Sequence, residues 1–564
     1  MKRWLACLLV CGFTLGAFGC SFNGENAASS KPKITSDSSK PLSEKESASE
    51  EESSSAEKSN ENWAQLLGAQ PQKTLSTNGV LTYTVDKTLG EKNYVKIDLE
   101  TDVHLYGEFT YADTATGKTA TEVFYIEKGA TTFKQFLDAF RPNGIGCFEK
   151  TLQSIKLTNK SEGFGNVQVK GVYVSDRTVP EFEREVYIEK DGVKVGADLA
   201  AGGALTYLGR EYYETKSGER QKVEEVIDYD NNVYIGVGMD ESDYMVSLSS
   251  SVNLINIYDL GRQFQQSYYA EIGGEEDDPN GANGYTRGYC DTTGKGYYWP
   301  YNPVQVGDCA ENPSQIIDYE ITSSSIWIKI RPMDWSKGDT GRHFPNTFIG
   351  GETTKSYMEN RYTINNGVVF VENSFVDWNG FYDLEETSIC TNELPAAYIV
   401  HPLRNYVCYT GDKPWTDDKL DISTGLGYWD GFRIDYKHLE DWFAWVNNEH
   451  FGVGVYVPNM KHFTSGSYQK SSSINLEINR GAFSSPYANK LLYNKVYPTS
   501  MYTSCYVSNM HYTSPANYWR LKEYERRCYE YAISVDYVDE MRNQFKEIHS
   551  SGKMTNASLD TWIE

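Results

Sequence analysis

The sequence has little histidine, little positive charge and no long apolar run beyond its first twenty residues. Its 8 His are dispersed along 564 residues, which speaks against a histidine-built metal centre. No Cys-x-x-Cys occurs, and no Cys/His group has zinc-ligand spacing. After residue 20 no apolar stretch is long enough to cross a bilayer as a helix. Lys and Arg number 53 against 78 Asp and Glu, a formal net charge of −25. That balance excludes ordinary nucleic-acid binding, which needs basic patches, and docking onto anionic lipid. No cofactor is expected. The run Glu275-Glu276-Asp277-Asp278 reads as a solvated acidic loop without the EF-hand pattern, with calcium left open there.

What is present begins at the start of the chain. Lys2 and Arg3 precede an apolar stretch over residues 4–18, too short for a comfortable membrane span and suited to a signal-peptide core. It ends at Ala17-Phe18-Gly19-Cys20, which resembles the processing site of bacterial lipoprotein precursors, where the cysteine carries the lipid. Phe18 departs from the small residue usual at that position. The resemblance implies a signal peptide over 1–20, a lipid on Cys20, and a membrane contact through that anchor alone. Residues 21–62 are Ser, Glu, Lys and Asn with almost nothing apolar, so they are expected to be a disordered tether. Its coil span is about 35 Å. The expected location is the cell surface, extracytoplasmic and membrane-anchored.

The chain holds 43 Tyr, 12 Trp and 23 Phe, 14% aromatic in all. Tyr and Trp present an apolar face and a polar edge, the same two-sided character as a pyranose. Strands favour these residues in any case, so composition leaves glycan contact and plain sheet packing both open. Seven cysteines lie beyond Cys20, and an oxidising compartment permits disulfides. The sequence-near pairs are Cys290–Cys309, Cys390–Cys408 and Cys505–Cys528, with Cys147 left over.

Residues 63–180 read as one all-β module. VLTYTV, NYVKIDL, VHLYGEFTY and TEVFYIEKG are strand-like runs, and the spacing of Phe133, Phe136, Leu137 and Phe140 predicts one helix among them. The regular strand spacing fits a sandwich. It resembles the galactose-binding-like jelly rolls appended to carbohydrate-active proteins, some of which bind sugar and some of which are spacers. Residues 178–184 form a junction. From 186 to 548 strand follows strand, closed by an amphipathic helix with Val538, Met541, Phe545 and Ile548 on one side, behind Asp536. So much β structure cannot remain one open sheet and must stack. Residues 549–564 are a tail. The fold class expected is all-β: an N-terminal jelly-roll β-sandwich followed by a large antiparallel supersandwich, with few helices.

Gly202-Gly203-Ala204-Leu205-Thr206-Tyr207-Leu208, followed by NLINIYDLGRQFQQSYY, resembles the galactose-mutarotase-like supersandwich of carbohydrate-active proteins. The resemblance implies a sugar cleft beside the Asp-x-Gly-Arg turn. The histidine pair of aldose epimerases has no counterpart here, so mutarotase chemistry does not carry over.

Three constellations are candidate sites. In the first, Asp259, Arg262, Gln263, Tyr268 and Tyr269 combine a turn, fork donors and stacking rings; a structural Asp–Arg pair would look the same. The second is residues 297–308, read as a loop because Pro300, Pro303 and Gly307 oppose a central strand; Trp299, Gln305 and Asp308 would form a subsite wall. The third has Glu393 just before an apolar strand, with His401 beyond; partial burial would raise the Glu393 pKa and suit it to general acid or base work. Asp259, Glu393 and Asp308 are the catalytic candidates, since glycoside hydrolysis needs two flanking carboxylates. Arg262, Gln263, Tyr268, Tyr269, Trp299, Gln305 and His401 are the substrate-binding candidates. The expected partner is a polysaccharide or oligosaccharide. Glycoside hydrolysis leads, with non-catalytic glycan capture, a polysaccharide lyase and a cell-wall adhesion protein as the alternatives.

Overall fold

Alternation of burial decides the first elements. Along Leu105–Asp113 the residues Leu105, Gly107, Phe109 and Tyr111 are buried and those between them partly exposed, the period of a strand with one wet face. In the computed structural model this strand lies in a four-stranded sheet ordered Val80–Gly90, Lys150–Asn159, Leu105–Asp113, Thr119–Ile126. A second sheet runs Ala64–Leu67, Gly165–Ser175, Tyr94–Thr101, Thr132–Phe136, with Lys73–Leu75 beside Gly165–Ser175. Leu99, Phe109, Phe124, Phe133, Leu157 and Val169 share one core between the two.

The structure describes residues 61–210 apart from 91, 115, 138–149 and 181–183. Beyond them it describes 212–214, 220–222, 253–255, 263–273, 287–290, 296–301, 303–308, 313–334, 353–378, 388–400, 403, 405–409, 413–416, 420–423, 432–435, 440–446, 449–458, 473–482, 501–510, 524 and 526–554. All belong to one compact unit, Ser59–Glu564.

The helix expected around Phe133 is instead the strand Thr132–Phe136, paired antiparallel with Tyr94–Thr101. The cause is burial on both faces. Phe133 enters the sandwich core, while Phe136 points the other way, stacks on Tyr94 at 4.4 Å and meets Tyr319 at 5.7 Å. A strand covered on two sides loses its alternation, and the remaining apolar spacing imitates a helix.

Two nine-stranded antiparallel sheets follow. One is ordered Gln315–Ile321, Ser325–Arg331, Ser356–Asn365, Val368–Asp377, Arg527–Tyr537, Phe451–Tyr456, Trp442–Val446, Asn405–Tyr409, Leu420–Ser423. The other has the path Arg287–Cys290, Gly296–Tyr301, Gln265–Gly273, Ser388–Val400, Met501–Met510, Ser473–Ala482, Phe432–Asp435. They pack face to face: Tyr268 of the second lies on Phe375 of the first with ring centres 4.1 Å apart. The fold is all-β, and among the described residues Val538–Ser551 is the one α-helix. Val538, Met541 and Phe545 are buried as the stripe predicts. Asp536 does not cap that helix: it ends the preceding strand, accepts from the Tyr537 amide and pairs with Arg210. No helix among the described residues is long and apolar enough to cross a membrane.

A further expectation changes. Residues 296–301 form a strand, not a loop. Tyr298 pairs with Ile272 and Tyr301 with Ala270, so Trp299 and Pro300 sit at a bulge where the missing proline N–H costs no ladder bond. Cys505 and Cys528 lie on strands of different large sheets. Cys505 pairs across to Ala397 in one large sheet, and Cys528 to Ser374 in the other.

Asp198 caps the short 3-10 turn Leu199–Ala201 by accepting from the Ala200 amide, and Gly202 and Gly203 follow at φ of 57° and 69°. A Cβ on Gly202 would lie 1.9 Å from the Gln305 carbonyl oxygen. Gly202→Ala therefore combines left-handed strain with a backbone clash and is expected to cost about 3 kcal/mol. A thermal or denaturant midpoint equal to the native protein's would contradict that.

Candidate functional site

The sequence-derived candidates divide into three groups. Asp259, Arg262, His401 and Cys20 lie outside the described residues, as do the acidic run 275–278, Cys147 and Cys309. Glu393, Tyr269 and Trp299 are described in backbone only. Glu393 lies within Ser388–Val400 rather than before it, opposite Ser267 on one side and Ser508 on the other. Tyr269 faces Thr391 across the same ladder.

The remaining four, Gln263, Tyr268, Gln305 and Asp308, are fully buried. Around two of them, Tyr268 and Gln305, a polar network ties the two large sheets together. The Gln266 amide donates to Gln305 Oε1 at 3.0 Å, and Gln305 Nε2 donates to the Gly202 carbonyl at 3.2 Å. Gln266 Nε2 donates to Asn360 Oδ1 at 2.9 Å, Tyr268 Oη to Gln266 Oε1 at 3.1 Å, and Tyr362 Oη to the Gly203 carbonyl at 2.9 Å. Burial pushes the Tyr268 hydroxyl well above its ordinary pKa. Tyr268 thus meets Phe375 instead of solvent, and Gln305 holds the backbone turn instead of a ligand. Buried hydrogen bonds that run from one sheet to the other fix their relative placement.

A second set of residues, absent from those candidates, lies on the opposite face of the first large sheet. Met358, Tyr362, Val371, Phe375, Tyr529 and Tyr531 face the partner sheet. Their neighbours in sequence therefore point outward. The register aligns four of these in one row across adjacent strands: Trp327 opposite Arg361, Arg361 opposite Glu372, and Glu372 opposite Glu530. The N-terminal sandwich covers the face on one side of this row, where Tyr357, Val376 and Trp378 enter its core. The terminal helix covers the other side over Val368 and Ala532. The row is the open strip between them, and the Glu372 side chain retains 61% of its exposure.

The electrostatics of the strip separate its carboxylates. Glu359 accepts from Trp327 Nε1 at 3.3 Å, from Lys329 at 3.5 Å and from Arg526 at 3.0 Å. Burial works to raise its pKa, but Lys329 and Arg526 outweigh burial and hold it below the ordinary range. Arg526 also forks onto Glu127 of the sandwich and donates to Ser374 Oγ at 2.7 Å. Glu372 has Arg361 at 3.7 Å. Glu530 has its pKa raised, by burial first and by the facing Glu372 second. One carboxyl is thus biased toward its protonated form directly opposite one that has a cation beside it. Among the described residues no cluster of His, Cys, Asp and Glu is arranged to hold a metal ion.

No protein-family model matches the chain, and no curated protein does. Among solved structures, a 4-alpha-glucanotransferase from Thermococcus litoralis aligns over 63% of this chain and 37% of its own, at 8% identity and a TM-score of 0.25. An alpha-mannosidase from Enterococcus faecalis V583 aligns over 86% of this chain and 44% of its own, at 9% identity and a TM-score of 0.26. A putative aldose 1-epimerase from Escherichia coli K12 aligns over 63% and 99%, at 8% identity and a TM-score of 0.28. The chain thus spans less than half the length of the first two. Values this low establish neither a shared fold nor a shared activity.

The raised Glu530 pKa has a stability consequence with a definite sign. The folded protein holds this proton to higher pH than the unfolded chain does, so its contribution falls as pH rises through the ordinary glutamate range, about 4.3. Glu530→Gln is expected to raise the melting temperature at neutral pH and to lose that advantage below about pH 4. A variant less stable than the native protein at neutral pH would contradict this, as would a gain that persists in acid.

Proposed function

We propose that the chain is an exported surface lipoprotein that acts on an extracellular glycan as a glycoside hydrolase, with Glu530 and Glu372 as the reacting carboxyls. The lipid on Cys20 and the tether over 21–62 would hold the folded part outside the membrane. The observation that carries the reading is the direct cross-strand opposition of Glu372 and Glu530 on an open strip of sheet. Opposed residues on antiparallel strands have Cβ atoms about 5 Å apart. Hydrolysis with retention uses carboxyls about 5–5.5 Å apart.

The chemistry then divides as the two environments do. Protonated Glu530 gives its proton to the glycosidic oxygen as the C1–O bond breaks and the aglycone leaves as an alcohol. Glu372, which has Arg361 beside it, attacks C1 and forms an ester. Glu530, now a carboxylate, takes a proton from water, the water oxygen bonds to C1, and the C1–Glu372 bond breaks. Trp327, one end of the same row, offers a ring for the sugar's apolar face. Glu393, Tyr269 and Trp299, on strands of the partner sheet, stay candidates for a cleft there, and Asp259, Arg262 and His401 stay candidates from the sequence.

The test is a panel of oligosaccharides read for binding and for reducing-end release. Glu530→Gln, Glu372→Gln, Asp259→Asn, Glu393→Gln and Asp308→Asn are run beside the native protein. Release should fall by at least roughly a hundredfold in each of the first two, with binding kept. Release that survives both but fails in Glu393→Gln would move the reaction to the partner sheet, and release that fails in Asp259→Asn would move it away from the strip. Binding with no release by the native protein would make it a glycan-capture protein, and unsaturated products would make it a lyase.

A further inference from the structure

His104 stands where the N-terminal sandwich meets the first large sheet, and its side chain is half-buried there. Its ring forms one cluster with Tyr125 and Tyr524. The ring centres are 5.7 Å apart for His104 and Tyr125, 5.8 Å for His104 and Tyr524, and 5.2 Å for the two tyrosines. Both tyrosines are fastened to the large sheet. Tyr125 gives its amide to Tyr357 Oη at 3.1 Å and stacks on Trp378 at 5.7 Å. Tyr524 gives its amide to the Asp377 carbonyl at 2.7 Å.

The hydrogen bonds define the protonation state of this histidine. Its Nδ1 accepts from the Lys128 amide at 3.1 Å and meets Tyr125 Oη at 2.5 Å. A backbone amide can only donate, so Nδ1 carries no proton and the neutral ring holds its hydrogen on Nε2. After protonation of Nδ1 the Tyr125 hydroxyl can turn and accept, but the Lys128 amide cannot. Two N–H groups would then face each other across the 3.1 Å contact, so the amide has to leave. The residue before it carries the main ion pair of the contact. Glu127 accepts from Arg526 Nε at 3.1 and 3.2 Å, and Arg526 reaches Glu359 on the large sheet at 3.0 Å. Beyond Lys128 the chain is tied back to the sandwich, by Gly129 N to the Thr101 carbonyl at 2.9 Å and Leu99 N to the Thr131 carbonyl at 3.0 Å. A displacement of Lys128 is therefore passed to Glu127 rather than down the loop.

Burial holds the His104 pKa below the ordinary histidine value; Glu127 pulls it up and Lys128 pushes it further down. Three other charged groups stand near. Arg526 lies beyond Glu127. Lys160 donates its amide to the His104 carbonyl at 2.8 Å, with its ammonium over Tyr106. Asp102 is engaged by Asn166. We propose that His104 is a pH-sensitive latch of this joint: when Nδ1 takes a proton from solvent, the Lys128 amide is expelled and the Glu127–Arg526 fork between sandwich and sheet loosens. The sign follows from a folded pKa that lies below the unfolded one. The stabilisation is present above the ordinary histidine value, about 6.5, and is lost as pH falls from there through the folded pKa. The joint is thus tight at neutral pH and loosened in mild acid. The latch stands on the joint's own geometry and does not need the Glu372–Glu530 strip to be catalytic.

The experiment uses the full chain and its variants His104→Asn and Lys128→Gln. Amide hydrogen exchange is followed by mass spectrometry from about pH 7.5 to about pH 5, corrected for the intrinsic pH dependence of exchange. Asn offers the Lys128 amide an acceptor oxygen that does not titrate. Lys128→Gln keeps the backbone amide and removes the charge that opposes protonation. In the native protein, protection of residues 127–131 and of the segment at Tyr524 should fall severalfold as pH drops below the ordinary histidine value. In His104→Asn it should stay level, and in Lys128→Gln the fall should begin at higher pH. Native protection that stays level across this range would overturn the proposal. So would a fall of equal size in His104→Asn, or a Lys128→Gln profile that is unshifted or moved to lower pH.

Discussion

The guanidinium of Arg526 sits where three parts of the chain meet. It forks onto Glu127 from the N-terminal sandwich, reaches Glu359 on the large sheet and donates to Ser374 on the next strand. Around it Tyr357 donates to Gln135 of the sandwich, Tyr125 of the sandwich donates its amide to Tyr357 Oη, and Trp378 packs against Tyr125. Such a joint mixes a partly buried ion pair with aromatic packing, and removing one partner leaves the other charge unpaired at a partly covered interface. The burial of Tyr94 and Phe136 under Tyr319, with Arg177 paired to Glu61 and Asp318, repeats the arrangement at the other end of the contact.

That joint determines what is left uncovered. A nine-stranded sheet has two faces to satisfy. One is closed by the partner sheet through a hydrogen-bonded layer that includes Gln266, Gln305, Asn360, Tyr268 and Tyr362. The other is closed at one end by the sandwich and at the other by the helix Val538–Ser551, which Arg542 anchors through the buried Glu440. Between the two covers the row of Trp327, Arg361, Glu372 and Glu530 stays at least partly exposed to water. Its carboxyls are forced opposite each other by the register rather than by any local turn. A like-charge pair facing across a ladder works against stability, so its presence on the open strip is easier to understand as chemistry than as packing.

Much of the fold was legible along the chain because strands write themselves locally. LYGEFTYAD and its neighbours alternate, and the closing helix shows its stripe of Val538, Met541 and Phe545. The segment around Phe133 misread as a helix because its second face is covered by Tyr319, nearly two hundred residues away. Residues 296–301 misread as a loop because Pro300 falls at a bulge that only the pairing with Gln265–Gly273 creates. The site was less legible still. Tyr268 and Gln305 read as parts of two polar–aromatic clusters in sequence, yet their neighbours in space make them interior cross-links between sheets. Glu372 and Glu530 lie 158 positions apart in sequence, each a lone acid within an apolar alternation, in VVFVENSF and RCYEYAISV. The polar residue in an apolar run was visible, but the register that opposes the two was not, because pairing between distant strands is not a local property.

The central claim is that Glu372 and Glu530 work on one sugar carbon. The most direct measurement is intact-mass and peptide mapping after incubation with a 2-deoxy-2-fluoro glycoside of whichever sugar the protein releases. Such a compound slows breakdown of a glycosyl ester more than its formation. The account predicts one added glycosyl group, mapped to Glu372, and faster labelling by good leaving groups in Glu530→Gln than by poor ones. A label on Asp259 or Glu393, or release of sugar with no label anywhere, would contradict it.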